Sequence, residues 1–278
     1  MSERIVVTDQ GIGRLDGEEV TLFDTAAPDL RALLEAGEDL TTLAVSGGAR
    51  RVRLDDVALR APVASPRQIW AVGLNYRAHV EEIQGMTLTE PFIFPKASTA
   101  VIGPGAPILI PEVDGEEVDF EGELAIIIGK RAERIRREDA DSVIAGVTIC
   151  NDVSARTLQK GGAGIRPNIS LAKSFRTFAP LGPAVLPVRS ADELRGLRLR
   201  TLVNGEVRQD ATTDQLIFDI PTLIEYLTAR VTLLPGDIIA TGTPEGVGDV
   251  DGRYLAGGDV VRIELEGIGA LENPVAHA

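Results

Sequence analysis

Acidic residues at the start of an apolar strand are the feature that most constrains how this chain folds. Residues 118–129 read VDFEGELAIIIG, which places Asp119, Glu121 and Glu123 at alternate positions before an apolar run. Alternate residues of a strand point to the same face, so Glu121 and Glu123 are predicted to lie side by side. Two adjacent carboxylates repel each other unless a proton or a cation holds them. An exposed edge strand with solvated acids is the simpler explanation, but Gly122 and the apolar continuation favour a metal site.

A further acid, Asp152, follows a second apolar run that covers residues 143–148. Aspartate is a preferred helix N-cap, so a turn or a cap also explains this position. If Asp152 joins Glu121 and Glu123, the site has oxygen ligands only, because the chain offers one cysteine and two histidines. An all-oxygen site suits Mg²⁺, Mn²⁺ or Ca²⁺ better than Zn²⁺.

One histidine is the candidate for acid–base chemistry, because His277 lies next to the end of the chain and leaves His79 alone. Glu82 follows three residues later, where one helical turn would bring its carboxylate beside the imidazole. A carboxylate in that position orients the ring and raises its basicity, as is usual for a general base. A surface histidine beside a surface glutamate remains the alternative.

Lysine is scarce in this chain, which has four lysines and 24 arginines, so a lysine inside a motif is informative. Lys173 lies between apolar residues in the segment LAKSFRTF. Such a side chain often only extends its ammonium past apolar neighbours to solvent. Near a metal-bound substrate it would instead stabilise a developing enolate.

The N-terminal part of the chain has the pattern of a small α+β unit. Strands are predicted over residues 4–8 and 17–23, and a short helix is predicted over residues 28–35. A stretch with two prolines and no amphipathic period, residues 57–66, is predicted to be a linker. We therefore predict a small N-terminal domain, residues 1–65, and a catalytic domain, residues 66–278.

Short strands separated by turns dominate the remainder of the sequence. Alternating residues lead into Asn204-Gly205, which predicts a β-hairpin. Pro221 begins a predicted helix with one apolar face. Residues 261–265 alternate between apolar and charged side chains, as in a half-buried strand. The fold class predicted is α+β and rich in strands, and no dinucleotide-binding motif is present in a suitable context.

Charge and composition exclude several classes of partner. The formal net charge is −14, whereas nucleic-acid binding requires a basic face. The longest apolar runs are too short to span a bilayer, and the charged N-terminus does not predict a signal peptide. A single cysteine excludes an internal disulfide and fits a reducing compartment. We therefore expect a cytoplasmic protein that acts on a small molecule, without nucleic-acid or membrane partners.

Eight motifs occur in order across residues 69–275. They are GLNYRAHVEE, PFIFPKASTAVIGP, VDFEGELAIIIGK, NDVSARTLQ, LAKSFRTFAPLGP, VNGEVRQDATTDQLIF, LLPGDIIATGTPEGVG and GIGALENPV. Together they resemble the fumarylacetoacetate hydrolase family, in its smaller acylpyruvase and 2-hydroxyhepta-2,4-diene-1,7-dioate isomerase-like branch. Any one motif alone would be weak, but their shared order is specific.

The resemblance implies a mixed β-sandwich roll, a homodimer and a bound Mg²⁺ ion, with Mn²⁺ or Ca²⁺ as substitutes. The roles it implies are metal ligation by Glu121, Glu123 and Asp152, water activation by His79 and Glu82, enolate stabilisation by Lys173, substrate contacts by Gln159 and Thr243, and the metal's outer shell for Thr177. The water-activating pair would lie on a lid that extends to about Pro91. We expect this lid to be mobile without ligand and to let the pair separate.

The chain departs from the family pattern near the substrate. Arg176 precedes the threonine of KSFRTF, where the family usually has an acid or glycine, and Thr157 replaces the acid of the commoner ARDLQ. The segment after Gln159 lacks an aromatic residue that is often found there. Arg176 and Arg166 either bind a second substrate carboxylate or are surface residues. We favour the interpretation that both are surface residues.

The reaction favoured by this resemblance is hydrolysis of a C–C bond in an acylpyruvate-like 2,4-dioxo acid, in the catabolism of aromatic compounds. Decarboxylation of oxaloacetate and isomerisation of a 2-hydroxy-dienedioate are the alternatives, because both pass through a similar enolate. A metal-binding protein without catalysis is disfavoured, since the histidine–glutamate pair and the lysine are all present.

Overall fold

A computed structural model describes residues 3–45, 47–83, 88–113, 117–162 and 164–278. Its strands are β1 Arg4–Thr8, β2 Gly11–Asp16, β3 Glu19–Leu22, β4 Arg50–Arg53, β5 Leu59–Arg60, β6 Ile69–Gly73, β7 Phe92–Lys96, β8 Val101–Ile102, β9 Ile108–Ile110, β10 Val118–Asp119, β11 Gly122–Ile128, β12 Ile144–Asn151, β13 Ser154–Ala155, β14 Ala179–Pro187, β15 Arg198–Val203, β16 Glu206–Thr212, β17 Ile238–Ala240, β18 Val260–Leu265 and β19 Gly269–His277. Its α-helices are α1 Leu30–Glu35, α2 Leu40–Val45, α3 Arg77–Glu82, α4 Arg156–Lys160, α5 Ile169–Ala172, α6 Ile220–Thr228 and α7 Gly248–Asp251. Short 3₁₀ helices cover Leu54–Asp56, Ser98–Ala100, Arg137–Val143, Ala191–Leu194 and Thr213–Gln215.

The large sheet is built around two buried strands, β11 and β12, in which every residue is buried. Its strand order is β4-β3-β2-β1-β14-β12-β11-β17-β6-β7, and β5 and β8 pair with β1 and β14. Strands that are buried on both faces are mostly apolar, which explains the continuous run that follows the acids. The strand-rich α+β fold predicted from the sequence is confirmed.

A second sheet, in the order β16-β15-β18-β19-β9, packs near the first where β15 and β18 face β11. The predicted hairpin is confirmed, with Asn204 (φ 52°) and Gly205 (φ 81°) both in the left-handed region that this turn requires. The predicted alternation over residues 261–265 is confirmed in β18, where Val261, Ile263 and Leu265 are buried. The predicted helix at Pro221 is confirmed as α6, which Asp219 caps by accepting from the Thr222 N–H.

The N-terminal strands continue the large sheet, because β1 pairs with β14 at Ile5 and Val185. The strand predicted over residues 4–8 is confirmed as β1, and the second predicted strand is shorter, as β3. The sequence analysis missed β2. The predicted helix begins at Leu30, two residues late, because the Asp29 side chain accepts from the Ala32 N–H and so caps it there. The domain division stays a prediction. None of the described helices has the length and hydrophobicity needed to cross a membrane.

Close packing between the sheets requires a glycine between the two glutamates. A Cβ atom added at Gly122 would lie 2.2 Å from Oγ1 of the buried Thr201, well inside contact distance. We expect Gly122→Ala to lower the free energy of unfolding by about 1–3 kcal/mol through overpacking. Gly47→Ala is the matched control, because a Cβ there meets no atom of the described residues within 4 Å. Thermal or urea unfolding measures both, and equal stability of the two variants would contradict the packing argument.

Candidate active site

Three carboxylates meet at one end of β11 and β12. The antiparallel register pairs Gly122 with Asn151 and Glu123 with Cys150, so Glu121 and Asp152, just beyond the paired residues, lie at the same edge. The Asp152 N–H donates to the Glu121 carbonyl at 2.8 Å, which closes this end of the strand pair. Glu121, Glu123 and Asp152 are all buried, and one carboxylate oxygen from each lies within 4.8 Å of the others. The structure therefore brings together the three acids singled out in the sequence.

Lys173 lies directly against two of these acids. Its Nζ is 2.7 Å from Glu121 Oε2 and 2.7 Å from Asp152 Oδ2, and its side chain is 2% exposed. Burial by itself lowers the pKa of Lys173, but the charges of Asp152 and Glu121 outweigh burial and raise it. The ammonium is therefore a fixed positive charge at the acids, and it does not reach past apolar neighbours to solvent.

Two further cations complete the cluster, and the sequence analysis missed both. Lys96, the last residue of β7, places Nζ 2.5 Å from Asp152 Oδ1 and 2.5 Å from the Lys173 carbonyl. Arg156, the first residue of α4, lies 2.8 Å from Asp119 Oδ2 and 2.6 Å from Glu121 Oε1. The scarcity of lysine and the position of both residues within motifs were the available signals.

The pKa values of the two glutamates, two residues apart, are shifted in opposite directions. Burial raises the pKa of Glu121, but the charges of Lys173 and Arg156 outweigh burial and lower that pKa to about 2. Burial raises the pKa of Glu123 well above its ordinary value, and the nearby charges of Asp152 and Glu121 raise it further. Glu121 is thus a stable anion, whereas an ionised Glu123 lacks sufficient compensation.

The cluster fits a divalent cation on two observations. Glu123 Oε2 accepts from the Gly242 N–H at 2.8 Å, whereas Glu123 Oε1 is buried with no hydrogen-bond partner in the described part of the chain. With Asp119 included, four buried carboxylates face three buried cations, so ionisation of Glu123 would leave one negative charge in excess. An unpaired carboxylate oxygen in an all-oxygen cluster is what Mg²⁺, Mn²⁺ or Ca²⁺ would bind.

His79 and Glu82 lie on α3 and form the expected pair. His79 Nδ1 is 3.3 Å from Glu82 Oε2, and His79 is buried. The Gly246 N–H donates to Glu82 Oε1 at 3.1 Å and to Oε2 at 3.2 Å. This anchor holds Glu82 within hydrogen-bonding distance of His79. The separation of the pair that we expected without ligand is not seen. The predicted lid includes residues 84–87, which lie outside the described residues.

One segment of backbone, residues 242–249, supplies N–H donors to three different acids. Gly242 donates to Glu123 and Gly246 donates to Glu82, as described above. Asp119, which holds Arg156, accepts from the Gly248 N–H at 2.8 Å and from the Asp249 N–H at 3.0 Å. Position 246 requires glycine for two reasons. Its φ is +93°, and an added Cβ would lie 2.0 Å from the Arg208 carbonyl oxygen.

A cavity of about 320 Å³ opens beside this cluster, and of the three clustered acids Glu121 lines it. Its polar lining includes His79, Glu121, Arg156, Gln159 and Lys173. The Gln159 side-chain carbonyl accepts from Arg156 Nη1 at 2.8 Å, which fixes this side chain in the wall.

The rest of the lining is mainly apolar. Phe92, Phe94, Ile169 and Val247 belong to it, and so does Thr243, whose hydroxyl donates to the Gly122 carbonyl at 3.1 Å. The volume suits a small organic acid. A cavity with a charged inner end and apolar walls would hold a short carbon chain with a polar head.

Three residues considered in the sequence analysis do not line this cavity. The Thr177 hydroxyl accepts from the Leu109 N–H at 2.8 Å, and its outer-shell role stays a prediction. Arg176 and Arg166 are exposed, and Arg176 lies at a separate cleft. The surface interpretation favoured for both arginines agrees with these positions.

Known proteins resemble this chain in sequence over most of its length. The family profile described as fumarylacetoacetate (FAA) hydrolase C-terminal matches residues 68–276. The chain belongs to the fumarylacetoacetate hydrolase family. A mitochondrial oxaloacetate tautomerase of Bos taurus is 41% identical over 272 residues, which cover 95% of this chain and 84% of the relative.

Two solved structures of the family resemble the whole chain. A 2-hydroxyhepta-2,4-diene-1,7-dioate isomerase from Mycobacterium marinum has 35% identity and a TM-score of 0.78, and covers 100% of this chain and 98% of its own. A fumarylacetoacetate hydrolase from the psychrophile Exiguobacterium antarcticum has 32% identity and a TM-score of 0.85, with 100% of both chains covered. Members of the fumarylacetoacetate hydrolase family with this fold therefore bear the names of a hydrolase, an isomerase and a tautomerase.

Removal of one carboxylate tests the cation site. Because the folded-state pKa of Glu123 is raised, its ionisation costs stability above its unfolded pKa of about 4.3. Without metal, Glu123→Gln should therefore be more stable than wild type at pH 7, and this advantage should disappear below about pH 4. Added Mg²⁺ should stabilise wild type, by about 2.7 kcal/mol at 100 times Kd, and should not stabilise the variant.

The measurement is the melting temperature at both pH values in EDTA and in Mg²⁺. The exposed Glu133→Gln is the matched control and should behave like wild type. An equal rise with Mg²⁺ in wild type and Glu123→Gln would contradict the site.

Proposed function

We propose that this protein is a tautomerase or isomerase that moves a proton between carbon and oxygen, or between two carbons, of a small 2-oxo dicarboxylic acid. One observation carries the proposal: the cavity places a histidine, oriented by a carboxylate, and a buried ammonium around the same small volume. A base and a fixed positive charge are the two groups that enolisation of a carbonyl compound requires.

His79 is the group that moves the proton. Its ring lines the cavity, and Glu82 fixes the orientation of the imidazole through Nδ1. The other ring nitrogen, Nε2, is then the one that takes a proton from the carbon beside the carbonyl. The imidazolium returns that proton to the oxygen, which gives the enol, or to another carbon, which gives the isomer. Atoms balance in both cases without a co-reactant.

Lys173 and Arg156 stabilise negative charge on the substrate. Both line the cavity, and buried carboxylates fix both in place before any substrate arrives. Charges that are already oriented cost no reorganisation when negative charge develops on the carbonyl oxygen. A divalent cation held by Glu121, Glu123 and Asp152 would supply Lewis-acid polarisation of the 2-oxo group.

The names of the relatives favour this reaction class. The Bos taurus relative is named an oxaloacetate tautomerase, and a structure that covers the whole chain is named a dienedioate isomerase. Both names describe proton movement in a dicarboxylic acid with a 2-oxo or 2-hydroxy group. Neither reaction requires an attacking water.

Hydrolysis of an acylpyruvate-like acid is the second candidate. The oriented His79 favours it, because such a histidine can also activate water. The Exiguobacterium antarcticum structure, named a fumarylacetoacetate hydrolase, also favours it. Decarboxylation of oxaloacetate has no separate support in the geometry, since it requires no base.

Removal of the His79 imidazole tests whether this residue is the general base. We expect His79→Ala to lower kcat/KM for enolisation of oxaloacetate by about 10²–10⁴-fold, the usual effect of removing a general base. Ultraviolet absorbance of the enol measures the rate, after subtraction of the uncatalysed reaction. His277→Ala is the matched control, because His277 is exposed and lies outside the cavity.

The same variants should be assayed with an acylpyruvate. If His79→Ala keeps its tautomerase activity and loses hydrolysis alone, His79 activates water and the second candidate replaces the first. Failure of wild type with Mg²⁺ to convert oxaloacetate, a 2-hydroxy-dienedioate or an acylpyruvate would contradict both.

A further inference from the structure

The outer part of the cavity carries an ion pair that the proposed reaction does not use. Lys160, the last residue of α4, and Asp249 of α7 both line the cavity and contact each other through Lys160 Nζ and Asp249 Oδ1. The Lys160 side chain is 51% exposed and that of Asp249 is 20% exposed. The pair therefore lies where the cavity meets solvent, whereas Lys173, at 2% exposed, lies at its inner end.

Lys160 differs from the other cations of the cavity in its partners. Lys173 and Arg156 are each held by two buried carboxylates and are tied to the inner cluster. Among the described residues that line the cavity, Lys160 is the cation whose recorded partner is a single, partly exposed carboxylate. An ion pair of this kind contributes little to stability, so exchange of its partner costs little.

Asp249 is the fixed member of the pair. Its N–H donates to Asp119 Oδ2, and its Oδ1 accepts from the Tyr254 hydroxyl at 3.0 Å. If Lys160 turns away, the Asp249 carboxylate keeps the tyrosine as a donor and keeps access to solvent. Lys160 can therefore move to a ligand without leaving a buried charge unpaired.

We propose that Lys160 sets the specificity for dicarboxylic substrates by leaving Asp249 and binding the carboxylate at the far end of the ligand. This inference rests on the proposed function, which places the 2-oxo end of the ligand at Lys173. Apolar walls that include Phe92, Ile169 and Val247 would then contact the carbon chain between the two ends. Asp249 has the opposite effect, because it competes for the ammonium and repels a second carboxylate.

Two ligands of equal length test this proposal without turnover. The six-carbon acids 2-oxoadipate and 2-oxohexanoate differ in whether the far end is a carboxylate or a methyl group. Isothermal titration of wild type in Mg²⁺ should give a Kd about 2- to 5-fold lower for 2-oxoadipate, the range expected for a half-exposed charge pair. Lys160→Met keeps the apolar stem and should reduce this ratio to about 1.

Two further variants make the test specific. Lys130→Met removes an exposed lysine outside the cavity and should leave the ratio unchanged. Asp249→Asn should lower the Kd for 2-oxoadipate by about 2- to 3-fold and leave that for 2-oxohexanoate unchanged, because it removes a competing charge.

The outcomes separate this inference from the proposed function. A preference for 2-oxoadipate that survives in Lys160→Met, or its absence in wild type, would overturn the role of Lys160. Failure of wild type to bind either acid at millimolar concentration would overturn it as well. If the binding preference depends on Lys160 but no member of the substrate panel is converted, the specificity site stands and the proposed reaction is wrong.

Discussion

The burial of four carboxylates at one end of the central sheet is the constraint on which the rest of the structure depends. Removal of an isolated charge from water costs several kcal/mol, so each carboxylate needs cations or N–H donors within hydrogen-bonding distance. The chain supplies cations from three separate places: the end of β7, the start of α4 and the residue after α5. Because each cation must reach the acids, the elements that carry them are fixed around the strand pair, and the cavity is the space left between them.

The positive charges and hydrogen-bond donors of the cluster are shared unequally between its carboxylates, and this difference leaves room for a ligand. Glu121 lies between Lys173 and Arg156 and is held as an anion, whereas Glu123 has one backbone N–H and an oxygen without a partner among the described residues. A cluster neutralised in every part would be a structural ion network with no need of a ligand. The unpaired Glu123 oxygen, in a cluster that also holds the Lys173 ammonium, makes this end of the sheet suited to binding a cation.

Local sequence patterns were sufficient for much of the fold and for part of the site. Strand alternation, the Asn204-Gly205 turn and the proline at the start of α6 act over a few residues, so they are visible without knowledge of the tertiary structure. The three acids were recognisable because each lies next to an apolar run, Glu121 and Glu123 at the start of one and Asp152 after the end of another. Lys96 and Arg156 were missed because their partners lie 56 and 35 to 37 positions away in the chain, and nothing local indicates which acid each will meet. The anchored state of Glu82 depends on a backbone N–H 164 residues later, which no local pattern shows.

The segment over residues 242–249 has a consequence for which substitutions this fold can accept. It holds three acids by main-chain N–H groups, and those donors are the same whichever side chains the segment carries, provided that the glycines remain. Side chains such as that of Asp249 are therefore free to vary, since the bonds to Asp119, Glu123 and Glu82 do not depend on them. Substitutions in those side chains would therefore reshape the cavity wall while Asp119, Glu123 and Glu82 keep their main-chain donors. The backbone of this segment thus positions the acids, whereas its side chains form part of the cavity wall.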